Sequence, residues 1–246
     1  MIRVYVPAEQ WSSETVLTGE EAHHLARVLR VREGETVLCL DGRGRQANGK
    51  ISRLSGREVV LSLESPTTAP PEKPAITLAS AIPGQGKIEE IINQAVQLGV
   101  AGFIPLLTQR TEFKLSGDRL QAKQRRFLQV AVEAMKQSGS LFLPEIAPVT
   151  SWRECLDDFS RYDRVLIASL QGPYPPLKPI LSSPKLRHIL ILIGPEGDFT
   201  LEEVDQAVTA GALRFSLGPH VLRCETAAIS AVSVVSHLAR EVSPAL

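Results

Sequence analysis

Ile189-Leu-Ile-Leu-Ile-Gly-Pro-Glu-Gly197 and Leu217-Gly-Pro-His-Val-Leu-Arg-Cys-Glu-Thr-Ala227 decide how this chain reads. In each, an apolar run meets a glycine-proline step and then a helix-like pattern. Continuous apolar runs such as Ile189–Ile193 suit strands buried on both faces of a parallel sheet. Two strand-to-helix turns so close in sequence can present bare backbone amides and carbonyls to one small ligand. Pro195 fixes a turn, while Gly194 and Gly197 let the backbone approach that ligand. Glu196 can contact a hydroxyl or a cation. The second turn places Arg223 beside whatever is held there. Spacing alone fits two ordinary strand-ending turns equally well.

Working outward, strands and helices alternate from residue 75 onward. Ile76–Ala81 reads as a strand, and Ile88, Ile91, Ile92, Ala95 and Leu98 mark one helix face from Lys87 to Leu98, stopped by Gly99. Phe103–Leu107 is the next strand and 118–137 a long amphipathic helix. Val165–Leu170, Ile189–Ile193 and Leu213–Leu217 complete the strands. Thr200 caps a helix through Ala210, with Glu202 and Glu203 at its positive end. A last helix covers Glu225–Ala239. This is an α/β domain.

Residues 65–74 carry four prolines and no large apolar side chain, the composition of a stiff linker. Before them the signals are short strands at Ile2–Val6, Thr36–Leu40, Gly49–Leu54 and Glu58–Leu63, with turns at Glu33-Gly34 and Asp41–Gly44. One helix at 19–30 repeats Ala22, Leu25, Ala26 and Leu29. A small β-barrel with one helix fits. The division is 1–68 barrel, 69–74 Pro-rich linker and 75–246 α/β domain.

Composition narrows the function classes. The 246 residues are ample for a buried core, and 43% hydrophobic with 22% charged residues is ordinary for a soluble protein. No apolar run approaches the about eighteen residues of a membrane span. The start, Met1–Pro7, reads as a strand and lacks a signal-peptide core. Cys39, Cys155 and Cys224 are too few and too dispersed for a disulfide framework or a thiolate metal site, which points to the cytosol. Lys+Arg and Asp+Glu are equal at 27, so bulk charge predicts no polyanion partner. Locally, however, Arg27–Arg57 holds eight basic residues against three acidic, and Arg110–Arg126, including Lys114, six against two. Such clusters can grip phosphates or form solvated faces.

Other motifs fail. Pro83-Gly-Gln-Gly-Lys87 sits where a phosphate loop would sit. No Ser or Thr follows Lys87, and Glu89 stands where a dinucleotide fingerprint needs glycine, so a flexible turn is the better reading. His23 and His24 are adjacent on a helix, about 100° apart, and make poor joint metal ligands.

Taken together, His-His-Leu-Ala-Arg-Val-Leu-Arg at 23–30, Lys87 with Gln-Leu-Gly-Val at 97–100, Ile104-Pro105, Gln137-Ser138 with Pro144, and the two glycine turns resemble the RsmE family nearly end to end. These are SPOUT-class 16S rRNA uridine N3-methyltransferases. The resemblance implies a SPOUT α/β domain with a deep trefoil knot and a small N-terminal PUA-like β-barrel for RNA. It implies S-adenosylmethionine as methyl donor, no metal, 16S rRNA of the small ribosomal subunit as substrate, a homodimer, no membrane, and the cytoplasm. Leu170, Ile193, Gly194, Pro195, Glu196, Gly197, Leu217, Gly218, Val221, Leu222, Thr226 and Ala227 then fall to the cofactor. Arg223 falls to catalysis, favouring the anion formed when uracil N3 loses its proton or orienting the base. Arg27, Arg30, Arg43 and Arg110 fall to RNA, the first two one helical turn apart. The small residues Thr226, Ala227, Ser230, Ala231 and Ser233 offer a face for close helix packing, within or between subunits. Another SPOUT methyltransferase, acting at a different RNA position or a ribose hydroxyl, or a non-catalytic RNA-binding knot protein, would share these features.

The chain departs from the family pattern at several points. Gln94 and Gln97 stand for Lys and Glu, Lys136 for Glu, Ser140 for Arg, and Asp198 for a second glycine after Gly197. The expected consequences are a compensated loss of one ion pair, loss of an RNA or subunit contact at Ser140, and added negative charge or a helix cap at Asp198.

Overall fold

The computed structural model describes residues 1–55, 57–112 and 116–240, without the side chains of Gln85 and Arg240. Lys114 of the second basic cluster and the stretch 241–246 lie outside them. The chain divides into two units, residues 1–71 with 132–143, and 72–131 with 144 onward.

In the first unit β1 (Arg3–Tyr5), β2 (Glu14–Thr18), β3 (Thr36–Leu40), β4 (Arg45–Leu54), β5 (Glu58–Leu63) and β6 (Thr67–Thr68) form one mixed sheet. Its path is β1-β3-β4-β5-β2, with β6 on β4; β1 and β3 run parallel and the other pairs antiparallel. Val4 and Val37 near one end of that path share a core with Leu17 and Val59 near the other, and with Leu25 between them. The sheet therefore curls around its apolar face as a half-barrel. Thr67–Thr68, inside the proline-rich segment, pairs with Arg45–Gln46, at a sheet position where flanking prolines cost no ladder bond. The Asp41 carboxylate organises the β3–β4 turn by accepting from the Arg43 and Arg45 amides and from Arg45 Nε at 2.7, 3.0 and 3.0 Å. Gly44 in that turn has φ +97°, and a Cβ there would meet the Ala69 carbonyl at 2.6 Å.

The helix expected at 19–30 is corrected. Its α-helical part, α1 (Gly19–His23), passes into a π-helical turn at His24–Leu29, and Arg30 turns left-handed at φ 53°. The wider π turn carries Leu29 out of line with Ala22 and Leu25, and it ends 41% exposed. Arg27 and Arg30 are both exposed, but Arg30 has left the helix, so they do not share an α-helical face.

The second unit carries β7 (Ala75–Ala81), α2 (Ile88–Gln97), β8 (Gly102–Leu107), and α3 (Gly117–Ser138), whose residues from Val132 belong to the first unit. There follow β9 (Glu145–Ile146), β10 (Thr150–Ser151), α4 (Trp152–Asp157), β11 (Arg164–Ala168), α5 (Leu177–Leu181), β12 (His188–Ile193), α6 (Leu201–Thr209), β13 (Leu213–Phe215) and α7 (Cys224–Arg240). The sheet runs β10-β8-β7-β12-β11-β13 with β9 on β8, all parallel. β7 and β12 are its centre, and Leu78, Leu190, Ile191 and Leu192 are fully buried. Each such side chain contributes about 1.5–3 kcal/mol. Thr200 and Glu203 form the capping box of α6, as Ser151 and Glu154 do for α4. On α7 the buried stripe is Ala228, Ala231, Val232, Val235 and Ala239, and Thr226 and Ser233 are exposed. Among the described residues no helix is long and apolar enough to cross a membrane.

The departures acquire local explanations. Gln94 and Gln97 do not pair with each other; each donates one turn back, to Glu90 at 3.2 Å and to Asn93 at 2.7 Å. Lys136 is buried between Glu133 and Glu21 at 2.8 and 3.0 Å. Near Ser140, Arg3 donates to the carbonyls of Lys136 and Gln137, both at 3.0 Å, and so places a cation at the negative end of α3. Ser140 itself turns the chain, its hydroxyl bonding the backbone of Phe142.

Candidate active site

β11 and β13 end short of their apolar runs and β12 ends with its own, and the segments that leave the sheet converge. Ser169-Leu170 after β11, Gly194–Asp198 after β12 and Ser216–Leu222 after β13 wall one cleft at the carboxyl ends of the strands. The cleft holds about 580 Å³ of empty space, open mouth included. Leu170, Ile193, Gly194, Pro195, Glu196, Leu217, Gly218, Val221, Leu222 and Ala227 line it. Gly197 and Thr226 do not. Ala168, Ser169, Asp198, Ser216, His220 and Cys224 also line it; the last four adjoin the glycine turns and the first two adjoin Leu170, and nothing in their own residue types marks them. Leu170 and Val221 are 56% and 76% exposed, so the mouth is apolar.

Local sequence explains the shape of the first turn. A Cβ on Gly194 would meet the Phe199 amide at 2.9 Å, so only glycine lets the turn close. The Asp198 amide donates back to the Pro195 carbonyl at 2.9 Å, and Asp198 lies at φ 60°, a left-handed conformation. Glycine enters that region freely, and Asp tolerates it better than most residues. The departure at 198 thus keeps the backbone geometry. Its carboxylate accepts from the Phe199 amide at 2.8 Å, and of the two helix-cap candidates in the sequence, Asp198 and Thr200, it is Thr200 that caps α6. Arg110 is exposed, and its guanidinium donates to the Gly197 carbonyl, bracing the outside of this turn.

Glu196 is tied as well: its Oε1 accepts from the Gly84 amide at 3.0 Å. The Pro83–Lys87 turn therefore gives its amide to a protein carboxylate. Lys87 reaches Glu225 at 2.6 Å, and that hydrogen bond holds the Glu225 carboxyl below the usual carboxylate range. Burial pushes the Cys224 thiol up to about 11, partly offset by the Ser80 hydroxyl 3.9 Å away, so the sulfur stays protonated and is a poor nucleophile at neutral pH.

Arg223 stands between the lining residues Leu222 and Cys224. It is exposed, and its carbonyl accepts the first α-helical bond of α7, from Ala227 at 2.8 Å. Arg223 itself does not line the cleft; a cation at the positive end of a helix is electrostatically disfavoured, the kind of local conflict that functional sites carry. In the other unit Arg27, Arg30 and Arg43 are exposed, whereas His24 is half-buried beside an exposed His23. Among the described residues no three His, Cys, Asp or Glu side chains are grouped to hold a metal.

Comparison with known proteins agrees with both units. The family model for an RNA methyltransferase domain matches residues 71–236, and that for an RNA methyltransferase PUA domain matches 17–64. Ribosomal RNA small subunit methyltransferase E of Bacillus subtilis is 33% identical over 227 residues, covering 90% of this chain and 89% of that one. Its Synechocystis namesake is 32% identical, covering 96% and 77%. Among solved structures, ribosomal RNA small subunit methyltransferase E from Neisseria gonorrhoeae, bound to S-adenosyl methionine, is 25% identical with TM-score 0.83, covering 97% and 98%. A Legionella pneumophila protein in complex with the same cofactor is 31% identical with TM-score 0.82, covering 96% and 97%. The chain belongs to the RNA methyltransferase family with an N-terminal PUA domain, the family of the ribosomal RNA small subunit methyltransferases E.

Proposed function

We propose that this protein uses S-adenosylmethionine to methylate N3 of one uridine in the decoding region of 16S rRNA. It would do so in the cytoplasm as a homodimer, with a knotted path through the β11–β13 turns. The observation that carries the reading is the convergence of three strand-end segments on one cleft, in a chain of this family.

The residues present fit the cofactor. Leu170, Ile193, Leu217, Val221 and Leu222 supply apolar wall for its base and methionine stem, and the backbone at Gly194 and Gly218 is bare enough to take its polar edges. When bound, the cofactor supplies a methyl group already activated on a sulfonium. The chain's own task is then to align uracil and raise the electron density on N3. Arg223, beside the lining residues Leu222 and Cys224, favours the uracil anion over the neutral base as the N3 proton passes to solvent. The apolar cleft keeps competing water out. Arg27, Arg30 and Arg43 contribute phosphate contacts that hold the RNA without reading its sequence, and Arg110 braces the first turn.

Isothermal calorimetry with S-adenosylmethionine tests the site. Uptake of one equivalent per chain is expected. Arg223→Ala should lose turnover on small subunits while its cofactor affinity stays within about threefold, since Arg223 acts on the substrate side. No cofactor uptake by the parent protein would overturn the reading.

A further inference from the structure

The Pro83–Lys87 turn sits where a phosphate loop would sit but lacks its sequence, and its bonds go to the two turns of the cleft. The Gly84 amide is held by Glu196 of the first turn at 3.0 Å, and Lys87 is held by Glu225, in the first helical turn after Arg223, at 2.6 Å. Cys224, between Arg223 and Glu225, packs its sulfur 3.9 Å from the Ser80 hydroxyl and the Ala81 carbonyl at the end of β7. One short segment thus anchors both walls of the cleft.

Glu225 has two cations near it. It accepts the hydrogen bond of Lys87 and also feels the charge of Arg223. The Lys87 and Glu225 side chains are 30% and 17% exposed, so the pair is only partly screened by water. The Arg223 side chain is exposed and, among the described residues, makes no hydrogen bond or ion pair.

We propose that Lys87 is a positioning residue that holds Glu225 away from Arg223, leaving the Arg223 guanidinium unpaired and available to the substrate. Without Lys87, the Glu225 carboxylate has one remaining cationic neighbour, Arg223, two residues earlier in the chain. An Arg223 neutralised in this way stabilises a uracil anion less well. Lys87 and Glu225 act through another residue and touch neither cofactor nor base. The inference rests on the methyltransferase reading for the role of Arg223, while the pairing itself is independent of it.

The test is a double-mutant cycle in the full-length protein. Lys87→Met should lower turnover on small subunits about tenfold, equivalent to one decade of rate, with cofactor affinity within about twofold of the parent by calorimetry. Removing the freed carboxylate should then restore activity, so that Lys87→Met/Glu225→Gln turns over within about threefold of the parent. A merely structural pair gives the opposite result, a double variant no better than Lys87→Met, and that overturns the proposal. Unchanged turnover in Lys87→Met also overturns it, as does parallel loss of turnover and cofactor affinity. The pairing has its own readout in solvent exchange of the Arg223 Nε–H by nitrogen-15 NMR. Exchange should slow in Lys87→Met and return to the parental rate in the double variant; no slowing rejects the pairing even if the parent shows no methyl transfer. Parent protein that binds no cofactor condemns the functional reading alone.

Discussion

Asp198 shows how a single backbone angle governs what a substitution does. At φ 60° the residue sits where a β-carbon is costly, and its carboxylate recovers part of that cost by accepting the Phe199 amide at 2.8 Å. Asp198→Gly trades the hydrogen bond for an unstrained backbone. Its stability should stay within about 1 kcal/mol of the parent, with cofactor binding retained. Asp198→Val keeps the strain, adds a branched side chain and loses the bond, so it should cost about 1–2 kcal/mol or more and weaken cofactor uptake. Urea unfolding and calorimetry on the two variants check this. Equal behaviour of Gly and Val would show that the left-handed angle is not what constrains the site. Of the two roles the sequence left open for Asp198, added negative charge beside the turn or a helix cap, the cap belongs to Thr200, as the sequence pattern at 200–203 already indicated.

At the scale of elements, legibility followed the strength of periodicity. The central strands β7 and β12 were readable because they are mostly apolar and buried, and α6 because Thr200 and Glu203 form a capping box. The α4 capping box, Ser151 with Glu154, was equally present but opens a helix of only six residues, too short for a repeat to register. The π turn at His24–Leu29 was hidden because its residues also satisfy an α-helical spacing. The strand ends at Ser169-Leu170 and Ser216-Leu217 were read as sheet, though they wall the cleft; an apolar cleft wall and a buried strand share one composition. At α3, the buried Lys136 is an element-level commitment. Burial alone would lower its pKa, but hydrogen bonds and charge from Glu133 and Glu21 outweigh that and hold the ammonium above its ordinary 10.5. With the folded value raised, this stabilisation is complete below the unfolded value. It is lost only as the pH rises through the folded one, well above neutrality. Lys136→Met should therefore cost about 2–3 kcal/mol at pH 7, mainly by leaving the partly buried Glu21 carboxylate without its cation. Urea midpoints read this directly. A cost under about 0.5 kcal/mol would mean the pair is no better than a surface one.

For the molecule as a whole, the alternation of strands and helices after the proline-rich stretch announced a parallel α/β unit. The short strands before it announced a β-rich one. What one dimension could not carry is the joining of residues 132–143 to the N-terminal unit, because α3 continues its helical repeat straight through that point. Nor could spacing choose between a generic ligand cleft and a methyl donor's site. The family relationship makes that choice, and the place proposed for the site is the cleft where the three turns converge. The most direct measurement supplies small ribosomal subunits from cells lacking this gene with the purified protein and S-adenosylmethionine bearing a deuterated methyl group. The RNA is then mapped by mass spectrometry. Label on N3 of a single uridine in the decoding region is the predicted result. Label on a ribose hydroxyl or elsewhere in the RNA, or no transfer by protein that binds the cofactor, would contradict it.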